Sequence, residues 1–214
     1  KEGLIESELI HNDDTGVRSE GKTQWVNSAS NQELTYYAIH NKRGNEAMDE
    51  IGILPEFKGV SIHDRWASYD KYTCTHALCN AHLLRDLKFV GEEMNRSWAD
   101  EMIQLLQKGN EKKKEGVLTN YWITWASNKM DSIIQNAERK EPKEKNKPGK
   151  RGRKAKNKSL RLLHVFRDKK EEVLLFLKNK AVPFDNNLAE RDFRMTQVKQ
   201  TVSSLIRSKH GAEI

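Results

Sequence analysis

Up to about Cys79 the chain alternates short apolar runs with turn residues, and from Ala81 onward apolar positions recur at the three-to-four spacing of a helix face. In the first part, Leu9-Ile10-His11-Asn12-Asp13 predicts a strand, Arg18-Ser19-Glu20-Gly21 a turn, and Thr23 to Ala29 a second strand. Leu34 to His40 predicts a third, completing a meander. After the turn at Asn41-Lys42-Arg43-Gly44, Met48, Ile51 and Leu54 fall at helical spacing before Pro55, which predicts a helix from Asn45 to Ile53. Gly59 to Asp64 and His76 to Cys79 are two further β-rich runs with a short helical turn between them. The predicted order is β-β-β-α-β-(short α)-β.

The second part reads as helices. Ser97 stands at an N-cap position with Asp100 three residues on, ahead of a stripe of Trp98, Met102, Leu105 and Leu106. Trp122, Trp125, Ile133 and Ile134 mark another helix over Tyr121 to Ala137, and these stripes are expected to be core. A basic stretch with Pro142, Pro148, Gly149 and Gly152 interrupts the helices as a predicted loop. Leu160 to Asn179 resumes with Leu163, Phe166, Leu174 and Leu177 and ends before Pro183, after which Asn186 or Asn187 is placed to cap a last helix containing Glu190. The expected organisation is residues 1–80 as the first part of an α/β core, 81–158 as a helical insertion carrying the basic loop, and 159–214 as the remaining core helices.

Composition then narrows the partners. A chain of 214 residues with 36% hydrophobic positions can bury one substantial core. No long apolar run or leader-like start is present, so neither membrane insertion nor export is expected. Two cysteines, Cys74 and Cys79, are too few for a disulfide framework and fit a reduced cytoplasm. The start at Lys1 and the end after Gly211-Ala212-Glu213-Ile214 read as those of a piece of a longer protein. The net charge of +7 is local: Glu138 to Lys158 holds eleven Lys or Arg against three Glu, leaving the rest of the chain near −1. Such a run attracts polyanions by counterion release, which makes nucleic acid the first partner to consider; a solvated linker is the alternative.

Three carboxylates stand where strand and helix ends can gather them: Asp13 at the end of the first strand, Asp64 at the end of the fourth, and Glu190 early in the last helix. Carboxylate oxygens are the preferred donors of hard divalent cations, and two such cations can clamp an in-line displacement at phosphorus. Each residue also has an ordinary role available. Asp13 and Asp14 can cap the turn at Thr15-Gly16, Asp64 can cap the Arg65 to Tyr69 segment, and Glu190 can pair with Arg194.

Four words in order decide between these readings: His11-Asn12-Asp13-Asp14-Thr15-Gly16, Asp64-Arg65-Trp66-Ala67-Ser68-Tyr69, Cys79-Asn80-Ala81-His82 and Asp185-Asn186-Asn187-Leu188-Ala189-Glu190-Arg191. Together with Arg43-Gly44 and the closing Gly211-Ala212, they resemble the insertion-sequence-66 family of bacterial transposases over nearly the whole chain. The resemblance implies an α/β, ribonuclease H-like mixed sheet flanked by helices, with a helical insertion before the last catalytic helix. It also implies a DDE triad of Asp13, Asp64 and Glu190 that binds two Mg²⁺ or Mn²⁺ ions and catalyses DNA strand cleavage and transfer. Asp14 stands where the family often has Glu. Implied partners are transposon ends, target DNA and further copies of the chain in a synaptic complex, at a bacterial, nucleoid-associated location. A ribonuclease H-like nuclease and an inactive DNA-binding protein are the alternatives.

Contacts to DNA are expected from Lys150, Arg151, Arg153 and Lys154, where positive charge is densest, and from Arg191 and Arg194 beside Glu190. Trp66 can stack on an unpaired base or serve the core. His76, Cys79 and His82 are zinc-ligand types, but alternation puts Cys74, His76 and Leu78 on one strand face and Cys79 on the other, which argues against a tetrahedral site.

Overall fold

The structure, a computed structural model, describes residues 1–19, 22–141 and 157–194. Two compact units emerge, one formed by residues 1–79 with the segment from Ala181, the other by Asn80–Lys180. The basic loop residues Lys150, Arg151, Arg153 and Lys154 and the closing Gly211-Ala212 lie outside the described residues.

The first unit is an α/β arrangement on a five-stranded sheet in the order β3-β2-β1-β4-β5. Its strands are β1 (Leu9–Ser19), β2 (Lys22–Ser30), β3 (Thr35–His40), β4 (Val60–His63) and β5 (Thr75–Leu78). The helices are α1 (Glu2–Ile5), α2 (Asn45–Ile51) and α8 (Asn187–Asp192), with a 3-10 turn at Ala67–Lys71. The β1-β2 and β2-β3 pairs are antiparallel, whereas β1-β4 and β4-β5 are parallel. The mixture follows from the connections. Few residues separate β1 from β2 and β2 from β3, while the chain must cross over through α2 before β4 can lie parallel to β1.

Each sheet face has its own core. Ile10 packs with Met48, Ile53, Leu54, Phe57, Tyr69, Tyr72 and Cys74, so this face carries α2 and the 3-10 turn. On the opposite face Val17 and Val26 pack on Phe193, at the end of α8. That contact explains the one large departure from the predicted strands. β1 does not stop at Asp13 but continues to Ser19, because Val17 is fully buried and Thr15, Gly16 and Val17 pair with Val26, Trp25 and Gln24. Asp13 therefore lies mid-strand. Gly59 marks another constraint: a Cβ there would meet Glu8 O at 2.5 Å and Ser7 O at 2.7 Å, so only glycine lets the chain pass that close before β4 begins.

The second unit is all helical: α3 (Asn80–Met94), α4 (Ser97–Lys114), α5 (Asn120–Lys140), α6 (Lys158–Asp168) and α7 (Lys170–Lys178). Trp98, Met102, Leu105, Leu106, Ile133 and Ile134 are buried as the stripes predict, but Trp122 is only half-buried and Trp125 is exposed. Ser97 is the first helical residue of α4 rather than its cap, with Arg96 in the cap position and no side-chain cap bond. Thr119 does cap α5, accepting from Trp122 N. The predicted helix from Leu160 to Asn179 is broken at Lys169, where the backbone leaves the helical region between α6 and α7. This unit extends to Lys180, past the expected boundary at 158, because α6 and α7 bury Leu162, Leu163, Phe166, Val173, Phe176 and Leu177 among its own helices. At the base of the basic stretch, the buried Glu141 carboxylate accepts from Ser159 Oγ and Trp98 Nε1 and pairs with Arg96 Nε at 3.0 Å.

Candidate active site on the sheet

The parallel register of β1 and β4 pairs Leu9 with Val60, Ile10 with Ser61 and His11 with Ile62. That pairing ends two residues before Asp13 on β1, and Asp64 directly follows β4. Paired residues of neighbouring strands point to the same side, and alternation puts His11, Asp13 and Val17 together on the face that packs on Phe193. α8 lies on that face and brings Glu190. The charges of Asp64 and Glu190 both act on the Asp13 carboxyl, although Glu190 follows Asp64 by 126 positions.

The electrostatics agree. Burial pushes the Asp13 carboxyl up to about 7, and the negative charges of Asp14, Asp64 and Glu190 add to the rise against a hydrogen bond from Asp14 N that opposes it. The side chain is held by that bond, Asp14 N to Asp13 Oδ1 at 2.9 Å. Asp64 is held similarly: its Oδ1 accepts from Trp66 N at 2.9 Å, an Asx turn that fixes the carboxylate as the chain leaves β4. A Glu190 carboxylate oxygen lies within 4.8 Å of Cys79 Sγ. Cys79 is buried and accepts from Asn186 N.

Asn186 precedes α8 as predicted, but its side chain does not cap the helix. Its Nδ2 donates to Asn12 O at 2.9 Å, leaving Oδ1 to receive His11 Nδ1–H at 2.8 Å. Those two bonds tie the start of α8 to the middle of β1, so one asparagine sets where Glu190 enters. Burial lowers the His11 pKa, opposed by the Asn186 bond and the charges of Asp185 and Asp192. Tyr37 adds a further tie, donating from its hydroxyl to Asp192 O at 2.9 Å.

The opposite face stabilises the turn after β4. His63 stacks on Tyr69 with centroids 4.0 Å apart, its Nδ1 meets Asp64 O, and its Nε2 lies 2.8 Å from His76 Nδ1. His76 Nε2 bonds Tyr72 O at 2.9 Å. Both ring nitrogens of His76 are therefore engaged on the face away from Cys79. His82 belongs to α3 of the other unit.

Asp14 points away from Asp13 into a bidentate pair with Arg43, whose Nε and Nη2 reach it at 2.7 and 3.1 Å. Sequence reasoning did not assign this arginine a role; its only sign was the Arg43-Gly44 word after the third strand. Arg191 and Arg194 flank Glu190 and are exposed.

A mixed five-strand sheet of this order, flanked by helices, with Asp13 on its central strand and Asp64 directly after the next, is consistent with a ribonuclease H-like transposase fold. The chain belongs to the family described as Transposase IS66 family, whose model matches residues 1–214. A comparison with curated proteins returned no match. Membership supports a transposase role and implies an enzyme that cleaves and transfers DNA; a family of this type also suggests divalent metals. Among the described residues no helix is long and apolar enough to cross a membrane.

Proposed function

We propose that the chain is the catalytic core of a DDE transposase in which Asp13, Asp64 and Glu190 hold two Mg²⁺ or Mn²⁺ ions and catalyse cleavage at transposon ends followed by strand transfer into target DNA. What supports the reading is that charge from distant parts of the chain converges on the central strand, where Asp64 and Glu190 both act on Asp13. The donor set suits hard cations because it is built from carboxylate oxygens, and added positive charge would reverse the rise at Asp13.

Bound divalent ions would supply activation of an attacking oxygen and stabilisation of the leaving one. The protein's part is position. Asp14 N and Trp66 N fix the rotamers of Asp13 and Asp64, while Asn186 seats α8 on β1 and so sets Glu190. One carboxylate from β1, one from the turn after β4 and one from a helix can then face a phosphodiester from one side, leaving the in-line path open. Arg191 and Arg194, exposed next to Glu190, would contact phosphates, as would the stretch around Lys150, Arg151, Arg153 and Lys154. Synapsis of two ends would require at least two copies of the chain.

Asp64→Asn is expected to abolish both cleavage and transfer of a labelled donor end while DNA binding survives; retained metal-dependent cleavage rejects the triad. The products separate the alternatives. A nuclease leaves only hydrolysed ends, a transposase joins donor to target covalently, and an inactive scaffold does neither.

A further inference from the structure

We propose that Arg43 is a preset contact for a DNA backbone phosphate at the rim of the carboxylate site, an inference that rests on the transposase reading above. Its guanidinium carbon lies over two indoles, 4.5 Å from the ring centroid of Trp25 and 3.8 Å from that of Trp66. One edge is taken by Asp14, whose side chain is only 3% exposed. With two indoles against it and the Nε–Nη2 edge engaged, the arginine is held in place, yet its side chain remains 38% exposed. What it can still present is the far edge: both Nη1 hydrogens and one on Nη2. A planar fork of donors with fixed direction is the chemistry that recognises a phosphate, and because it is already ordered, little rotamer entropy remains to be lost on binding.

Its location gives the contact a use. Asp14 adjoins Asp13, and Trp66 holds Asp64 through its backbone N–H, so the cation is tied to both aspartates by one residue each. Clustered carboxylates repel an incoming phosphodiester. A cation fixed beside them offsets that repulsion and orients the strand without lying among the metal donors. The Asp14 pair alone does not require this arrangement, since a salt bridge to a buried carboxylate needs neither two indoles nor an exposed outer edge. The two tryptophans come from β2 and from the turn after β4, so the surroundings of Arg43 form only when the sheet is complete.

The test compares D14N with D14N/R43Q, so that neither protein carries an unpaired buried carboxylate, and thermal melts establish that both fold. Binding of a labelled DNA duplex is measured in EDTA across a salt series. The double variant is expected to bind several-fold more weakly near 0.1 M salt, with the slope of log K against log salt shallower by about one, the signature of one lost phosphate contact. R43K, which keeps the charge but not the fork, is expected to retain the slope and bind more weakly than wild type. Equal slopes for folded D14N and D14N/R43Q overturn the inference and leave the transposase reading standing, as does R43K binding as tightly as wild type. A D14N protein and a wild type that both lack salt-dependent DNA binding overturn both.

Discussion

Neutralising Asp13 should make the metal-free protein more stable while removing its activity. In the folded state burial and the charges of Asp14, Asp64 and Glu190 raise this carboxyl from 3.8 to about 7. A carboxyl with a raised folded value contributes fully below its unfolded value, and that contribution is lost as pH rises through the folded one. In EDTA the wild type is therefore expected to lose stability between about pH 4 and pH 7, by at most about 4 kcal/mol at 1.36 kcal/mol per tenfold change in proton affinity. Asp13→Asn removes the ionisation, and its Oδ1 can still accept from Asp14 N. The difference between variant and wild type should be near zero at pH 4 and reach about 2–4 kcal/mol in favour of the variant at pH 8. Hydrogen exchange of the β1 and β2 amides reads this for the sheet unit alone. Adding Mg²⁺ should stabilise the wild type and narrow the gap. A pH-independent difference, or a wild type more stable than the variant at pH 8 in EDTA, would refute the reasoning.

Three further outcomes follow from local geometry. Gly59→Ala forces a Cβ against Glu8 O and Ser7 O, so β4 must shift from β1; about 2–3 kcal/mol of sheet stability should be lost, with Mn²⁺ affinity falling in parallel, both measurable by urea titration and calorimetry. Glu141→Ala strips the acceptor shared by Ser159, Trp98 and Arg96 and should cost about 3 kcal/mol in the helical unit, seen as a lower urea midpoint of the Trp98 signal. Asn186→Leu cannot make the bonds to His11 and Asn12 O; cleavage should fall at least tenfold with DNA affinity largely kept, because α8 loses its seat on β1.

Much of this architecture was legible because the first unit follows period-two alternation and the second follows helical stripes. The strand order along the chain and the position of Glu190 on a late helix came directly from those rhythms and from the family resemblance. What escaped was tertiary in origin. Gly16 reads as a turn residue, and only the seat that Phe193 provides for Val17 explains why β1 runs on past Asp13. Asn186 stands in a capping position, but a partner 175 positions away claims its side chain. Arg43 looked like part of a turn because its value depends on Trp25, Trp66 and Asp14, which three separate elements bring to it. Ser97 had the right neighbours for a cap, yet the helix begins one residue too early to use it.

The nesting of the helical unit between β5 and α8 has a consequence for biosynthesis. A ribosome makes all five strands and both aspartates well before it reaches Glu190, which emerges 126 positions after Asp64. At ordinary elongation rates of about 5–20 residues per second, that gap lasts on the order of ten seconds. If the three carboxylates act as proposed, a nascent chain carries the aspartates without the third carboxylate and cannot cut DNA until translation has passed the helices in between.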